Sequence, residues 1–187
     1  MPSRLSMRPR LDAEPYHPYF QAAVQALEAW RVALERGAAR PEDIWAGLMG
    51  WLADFMSRVR RWDSYYLVEW DSTPVWLQPD RVPLGTALQM AVHVLERMAE
   101  QARGTSEVGT ARSETWIQLL VDLMPWVVWG GSATPAWYRC IVATHALAPD
   151  LGERLLERLY ETARQSDDEA IRLLARGAID FFRLRKE

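Results

Sequence analysis

An all-α fold, a compact multi-helix bundle of about seven or eight helices with no sheet, is what this sequence predicts. Apolar residues return every three or four positions through most of the chain. Prolines, acids and glycines stand where helices start and stop, and neither strand-like alternation nor an Asn-Gly hairpin occurs.

The elements follow in order. Residues 1–15 are polar, contain Pro2, Pro9 and Pro15, and read as an extended N-terminal arm. Residues 16–187 read as one all-helical domain, with a flexible break at 104–111 between two helical halves. Pro18 opens a first helix whose Phe20, Val24, Leu27, Trp30 and Leu34 share an inward face, and Gly37 stops it. Pro41-Glu42-Asp43 opens a second helix, where proline is tolerated and acids complement the dipole. Its apolar residues, from Ile44 and Trp45 to Phe55, Met56 and Val59, cover most of the circumference, which predicts a central position. Gly47 and Gly50 would let a neighbouring backbone come close.

From 62 to 83 the pattern weakens: Asp63 to Trp70 reads as a third element, a short helix or an extended piece, and 71–80 as a loop carrying tryptophan. A helix over about 83–103 follows, with Leu84, Leu88, Val92, Leu95 and Ala99 inward and Gln89, His93, Glu96 and Glu100 wet. A fifth helix over about 112–129 is apolar except for a stripe of Thr115, Gln118, Asp122 and Pro125. That stripe is either its wet edge or a line facing a partner. Thr134-Pro135 predicts the N-cap of a sixth helix. Asp150-Leu-Gly-Glu153 and Ser166-Asp-Asp-Glu169 predict capping boxes for the last two.

Composition narrows the class. With 49% hydrophobic and 25% charged residues, the chain can bury a core without metals or disulfides. The longest nearly uncharged run, Thr115 to Ala148, is broken by Asp122, Pro125, Gly130, Gly131, Pro135 and Arg139. A membrane span needs about 20 apolar residues in a row, so no membrane association is expected. Arg4, Arg8 and Arg10 precede no apolar stretch, so no signal peptide is expected. Cys140 is the only cysteine, which leaves no intrachain disulfide and favours a cytoplasmic protein. Net charge is −3, which supplies no global attraction to nucleic acid. The cations are arginines apart from Lys186, a bias that suits anion contacts but that GC-rich codon usage explains better.

Chemistry-bearing residues are scattered. His17, His93 and His145 pair with no carboxylate at ligand spacing, and neither a zinc nor a di-iron pattern is present. His93 reads as solvated surface and His145 as a core histidine bonded to a carbonyl. Asp167-Asp168-Glu169 suits a helix start better than a magnesium site. Cys140 lies well inside a helix, far from any dipole that would lower its pKa, and reads as a buried thiol. No nucleophile elbow, phosphate loop or dinucleotide fingerprint occurs. The expectation is a protein that is not an enzyme and holds no cofactor or metal. Arg58, Arg60 and Arg61 beside Trp62, and Arg183 and Arg185 after Phe181-Phe182, are candidate contacts for a nucleic-acid strand. Cations also gather at helix C-termini because the dipole favours them, and that reading is preferred.

Ten tryptophans are the compositional surplus. Trp30, Trp45, Trp51, Trp116 and Trp137 fall on apolar helical faces and read as core. Trp62, Trp70, Trp76, Trp126 and Trp129 fall at helix ends or in loops and are the candidate interface.

The leading expectation is therefore a non-catalytic helical subunit or adaptor that acts through contacts with a protein partner or with itself. A second reading is a small subunit of a nucleoprotein complex contacting RNA or single-stranded DNA. Met124-Pro-Trp-Val-Val-Trp-Gly-Gly131 followed by the closing helix Ala170–Phe182 is similar to the small all-helical subunits of type III CRISPR effector complexes. The similarity is confined to the C-terminal half. The chain departs from that family in its glycine spacing, in lacking an Asn before the glycine, and in its long N-terminal half. A third reading is a small-molecule sensor or carrier with a tryptophan-lined pocket.

Overall fold

The computed structural model describes residues 16–66, 84–102, 110–128 and 133–186. Among these there are eight helices and no strand. They are α1 (Tyr16–Glu35), α2 (Pro41–Tyr66), α3 (Gly85–Ala102), α4 (Thr110–Asp122), α5 (Met124–Val127), α6 (Ala133–Leu147), α7 (Pro149–Gln165) and α8 (Glu169–Lys186). The expected arm at 1–15, the loop at 71–80 and most of the break at 104–111 lie outside the described residues.

The most extensive helix pairing is between α3 and α6. Small side chains make it possible. Ala87 and Ala91 on α3, and Ala136, Cys140 and Ala143 on α6, recur at three- and four-residue spacing and are all buried. The backbones approach until the Cys140 thiol donates to the Leu88 carbonyl at 3.3 Å. Leu84, Leu88, Val94 and Leu95 are sealed, and only a narrow stripe of α3 with Gln89, His93 and Glu96 meets water. The expected centre, α2, is therefore displaced by α3. It packs against α1, α3 and α4 through Ile44, Leu48, Leu52 and Phe55, but leaves Ala46, Gly50, Ala53 and Asp54 exposed.

On α1, Ala23 and Leu27 are buried and Trp30 and Leu34 half-buried, whereas Val24, expected inward, is 37% exposed. As an edge helix, α1 has room to bury only one stripe. Gly37 ends it with φ of +65°, and Ala38 N–H donates to the Ala33 carbonyl at 2.9 Å across the turn.

Three local expectations are corrected. Within the apolar stretch 112–129 the described residues form two helices, α4 and α5, because Pro125 has no N–H to donate to the preceding turn. Leu123 forms the joint, and Trp126 and Val127 both donate to its carbonyl at 3.0 Å. The consecutive helices α7 and α8, which pack on each other as a hairpin, also start differently from the expected boxes. α7 begins with extended Ala148 followed by Pro149 and no side-chain cap, as a residue before proline prefers. α8 is capped by Asp168, whose carboxylate accepts from Ala170 N–H at 2.8 Å and Ile171 N–H at 3.4 Å. Ser166 instead accepts from Asp168 N–H at 3.2 Å. The Thr134 hydroxyl does not cap α6 but donates to the Val127 carbonyl at 2.8 Å, tying α5 to α6.

The α6–α7 corner is tight, and Gly152 makes it so. A Cβ there would lie 2.5 Å from His145 Cβ and 2.6 Å from His145 Cα. Gly50, expected to admit a neighbour, faces open space, while Gly47 lies under the Trp30 indole. Gly152→Ala is expected to lower unfolding free energy by about 1–3 kcal/mol through forced separation of the two helices. Gly50→Ala should raise it by about 0.5–1 kcal/mol through helix propensity alone. Urea unfolding followed by circular dichroism checks both; equal effects would sink the close-approach argument.

Candidate interaction surface

The tryptophans form the starting inventory. Trp45, Trp116 and Trp137 are buried, and Trp30 and Trp51 are half-buried against the core. Trp45 meets Trp116 edge to face with centroids 4.8 Å apart, joining α2 to α4. The Trp116 indole donates to the Thr144 hydroxyl at 2.8 Å, which in turn donates to the Cys140 carbonyl at 2.6 Å. The Trp137 indole donates to the Leu120 carbonyl at 3.0 Å. Both buried donors are thereby satisfied, so these rings act as bolts between α4 and α6.

Trp126, an expected interface residue, is in the core with 6% exposure. The turn at Leu123 rotates α5 so that its ring points inward. Trp70, Trp76 and Trp129 lie outside the described residues, as do the side chains of Arg58, Arg60, Arg61 and Trp62. His17 is likewise undescribed at the level of its side chain.

His93 is exposed. His145 is not bonded to a carbonyl as expected. Its ring lies 3.2 Å from a Glu153 carboxylate oxygen and packs on Phe182 with centroids 4.8 Å apart. It thus ties α6 to both α7 and α8. Among the described residues no group of three or more metal-binding side chains converges. Asp168 is committed to capping.

Among the described residues, surface clefts include three beside α1, α4 and α7. One of about 440 Å³ lies between α4 and α7 and is lined by Glu114, Ile117, Arg154, Arg158 and Tyr160, among others. Two of its arginines are engaged: Arg154 pairs with Glu114, and Arg158 donates to Gln118 at 3.1 Å. Gln118 in turn donates to Asp122 at 2.8 Å. The polar stripe of α4 therefore faces α7 as well as water. The other two clefts flank α1, one lined by Val24, Val32 and Ala33, the other by Leu34, Arg40 and Arg97. None of the three is lined by tryptophan.

Among the described residues, the most exposed large apolar side chains are on the C-terminal hairpin. Leu184 is 74% exposed, Leu173 58% and Tyr160 41%. In α8 the inward stripe is Leu174, Ala178 and Phe182, and Leu173, Arg176, Asp180 and Leu184 occupy the opposite side. Arg183 donates to the Tyr160 hydroxyl, and its guanidinium lies 5.5 Å from that ring's centroid, joining α8 to α7 at the surface. Arg185 lies 4.9 Å from the centroid of Phe181, which packs on Tyr138. Burial raises the Tyr138 phenol above its ordinary pKa. Of the expected arginines, Arg183 and Arg185 thus stand on aromatic platforms. Leu173, Leu184, Tyr160 and Arg176 were not foreseen, although leucines opposite the inward stripe of α8 were a visible signal.

Among known protein families, curated proteins and solved structures, none matches this chain. No helix among the described residues is long and apolar enough to cross a membrane.

Cys140 is sealed in the α3–α6 contact, and burial pushes its thiol pKa well up. A folded pKa above the unfolded value means that stability is complete below about pH 8.5. Above that pH only the unfolded chain ionises, so stability should fall by up to about 1.4 kcal/mol per pH unit from this group. A thiol reagent at pH 8 is expected to label Cys140 only as fast as the protein opens. Prompt stoichiometric labelling of the folded chain would refute the sealed thiol.

Proposed function

We propose that this chain is a non-catalytic helical subunit that acts through protein contacts in a larger assembly, held by the outer face of the α7–α8 hairpin. The observation that supports this is the exposure of Leu173 and Leu184 on one side of α8. Covering a leucine is worth about 1.5–3 kcal/mol. Tyrosine and arginine, here Tyr160 with Arg183, are the residue types that most often anchor protein interfaces. A reducing compartment, the cytoplasm, suits the single buried thiol.

A nucleoprotein subunit is the second reading, favoured by the guanidinium groups of Arg183 and Arg185 lying on aromatic rings. Stacked arginines can serve phosphate contacts, but the same rings already have partners within the chain.

Size fractionation of an extract from the native host, with the chain tagged at its natural level, tests the first reading. The tagged chain is expected well above the 21.5 kDa of a monomer. Leu173→Glu with Leu184→Glu should return it to monomer size while circular dichroism stays helical. Elution of the wild type as a monomer overturns the proposal. Collapse of the large species on nuclease treatment transfers support to the nucleoprotein reading.

A further inference from the structure

Charges on the hairpin gather in stripes, interrupted by Arg164 on the acidic side of α7 and by Asp180 between Arg176 and Arg183 on α8. On α7, Glu153, Glu157 and Glu161 follow at four-residue spacing, and on α8 so do Arg172 and Arg176, with Arg183 two turns further along the same side. Like charges at this spacing repel and weaken an isolated helix. Another stripe of α7, Arg154 and Arg158, shows how such repulsion is relieved: α4 answers it with Glu114 and Gln118. Glu157, Glu161 and Arg176 are exposed and have no partner among the described residues. The uncovered Leu173 and Leu184 share with Arg176 the outer side of α8.

We propose that this face receives the same face of a second copy of the chain, so that Glu157 and Glu161 of each hairpin oppose Arg176 and Arg183 of the other. This rests on the protein-contact reading above and names the partner. Charge complementarity selects the occupant. An unrelated partner would need both an acidic and a basic stripe, in the order that this hairpin already carries. A two-fold axis supplies that order at once, because it brings residue i against j and j against i. Two antiparallel helix pairs then close as a four-helix layer, with the leucines covered between them. Arg183 keeps its ring contact with Tyr160, which holds the guanidinium at the rim instead of over the core.

The test is light scattering of the purified full chain across roughly micromolar concentrations. The wild type should reach twice the 21.5 kDa chain mass, and its dimer should weaken as salt rises. Arg176→Glu/Arg183→Glu should be monomeric, and so should Glu157→Arg/Glu161→Arg. An equimolar mixture of the two should form a heterodimer, since one then carries acids at positions 157, 161, 176 and 183 and the other bases at all four. Arg176→Glu alone, which disturbs no internal partner, should weaken the dimer about tenfold or more. A monomeric wild type, or charge variants that dimerise like the wild type, overturns the proposal. So does a larger species that disperses with nuclease. If the purified chain is monomeric while the host extract holds it in a large protein complex, self-association fails and the subunit reading stands.

Discussion

The close approach of α3 and α6 is the constraint from which the rest of the molecule follows. Alanines at helical spacing remove the side chains that would hold the two axes apart, and a thiol, not a bulkier group, fills the remaining gap against Leu88. Once the pair is fixed, each outer helix has a defined groove to fill. Trp116 and Trp137 span from α4 to α6 and are large enough to reach polar acceptors across the contact. The interior is close-packed, so the positions of α4, α7 and α8 are set by shape before any surface charge matters.

That order of constraints explains why the hairpin is the exposed feature. α7 has neighbours on three sides, in α4, α6 and α8, and its buried stripe of Leu151, Leu155, Leu159 and Ala163 serves them all. α8 packs chiefly on α7 and α6. Its far side has no helix of this chain against it among the described residues, and that is where Leu173 and Leu184 fall. A helix at the edge of a bundle would ordinarily carry charges there. Paired leucines at that position cost solubility and gain nothing inside the monomer.

Much of the fold was legible in the sequence because helical periodicity and terminal signals act locally. Gly37 as a stop, the wet stripe of α3 and the proline at the start of α2 all follow from single residues and their spacing. What was misread depends on partners distant in sequence. The apolar circumference of α2 could not reveal that α3, with its alanines, would take the centre. Capping registers shifted because Asp168 and Pro149 each supply a stronger start signal than the box residues around them. Pro125 was in view, but its helix break showed only once the turn at Leu123 was seen to carry two hydrogen bonds.

The tryptophan surplus illustrates the limit most clearly. An indole at a helix end reads as available for a partner, yet Trp126 is turned inward by the joint just before it. The buried indoles are explained by what they join: wide rings bridge helices at separations where leucine would leave a void, and two of their N–H groups find acceptors. Abundance of an aromatic residue is therefore evidence about the interior as much as about the surface. Support for an interface comes from Leu173 and Leu184 rather than from Trp126. Leu173 and Leu184 have no such internal task, and solvent is a poor neighbour for them.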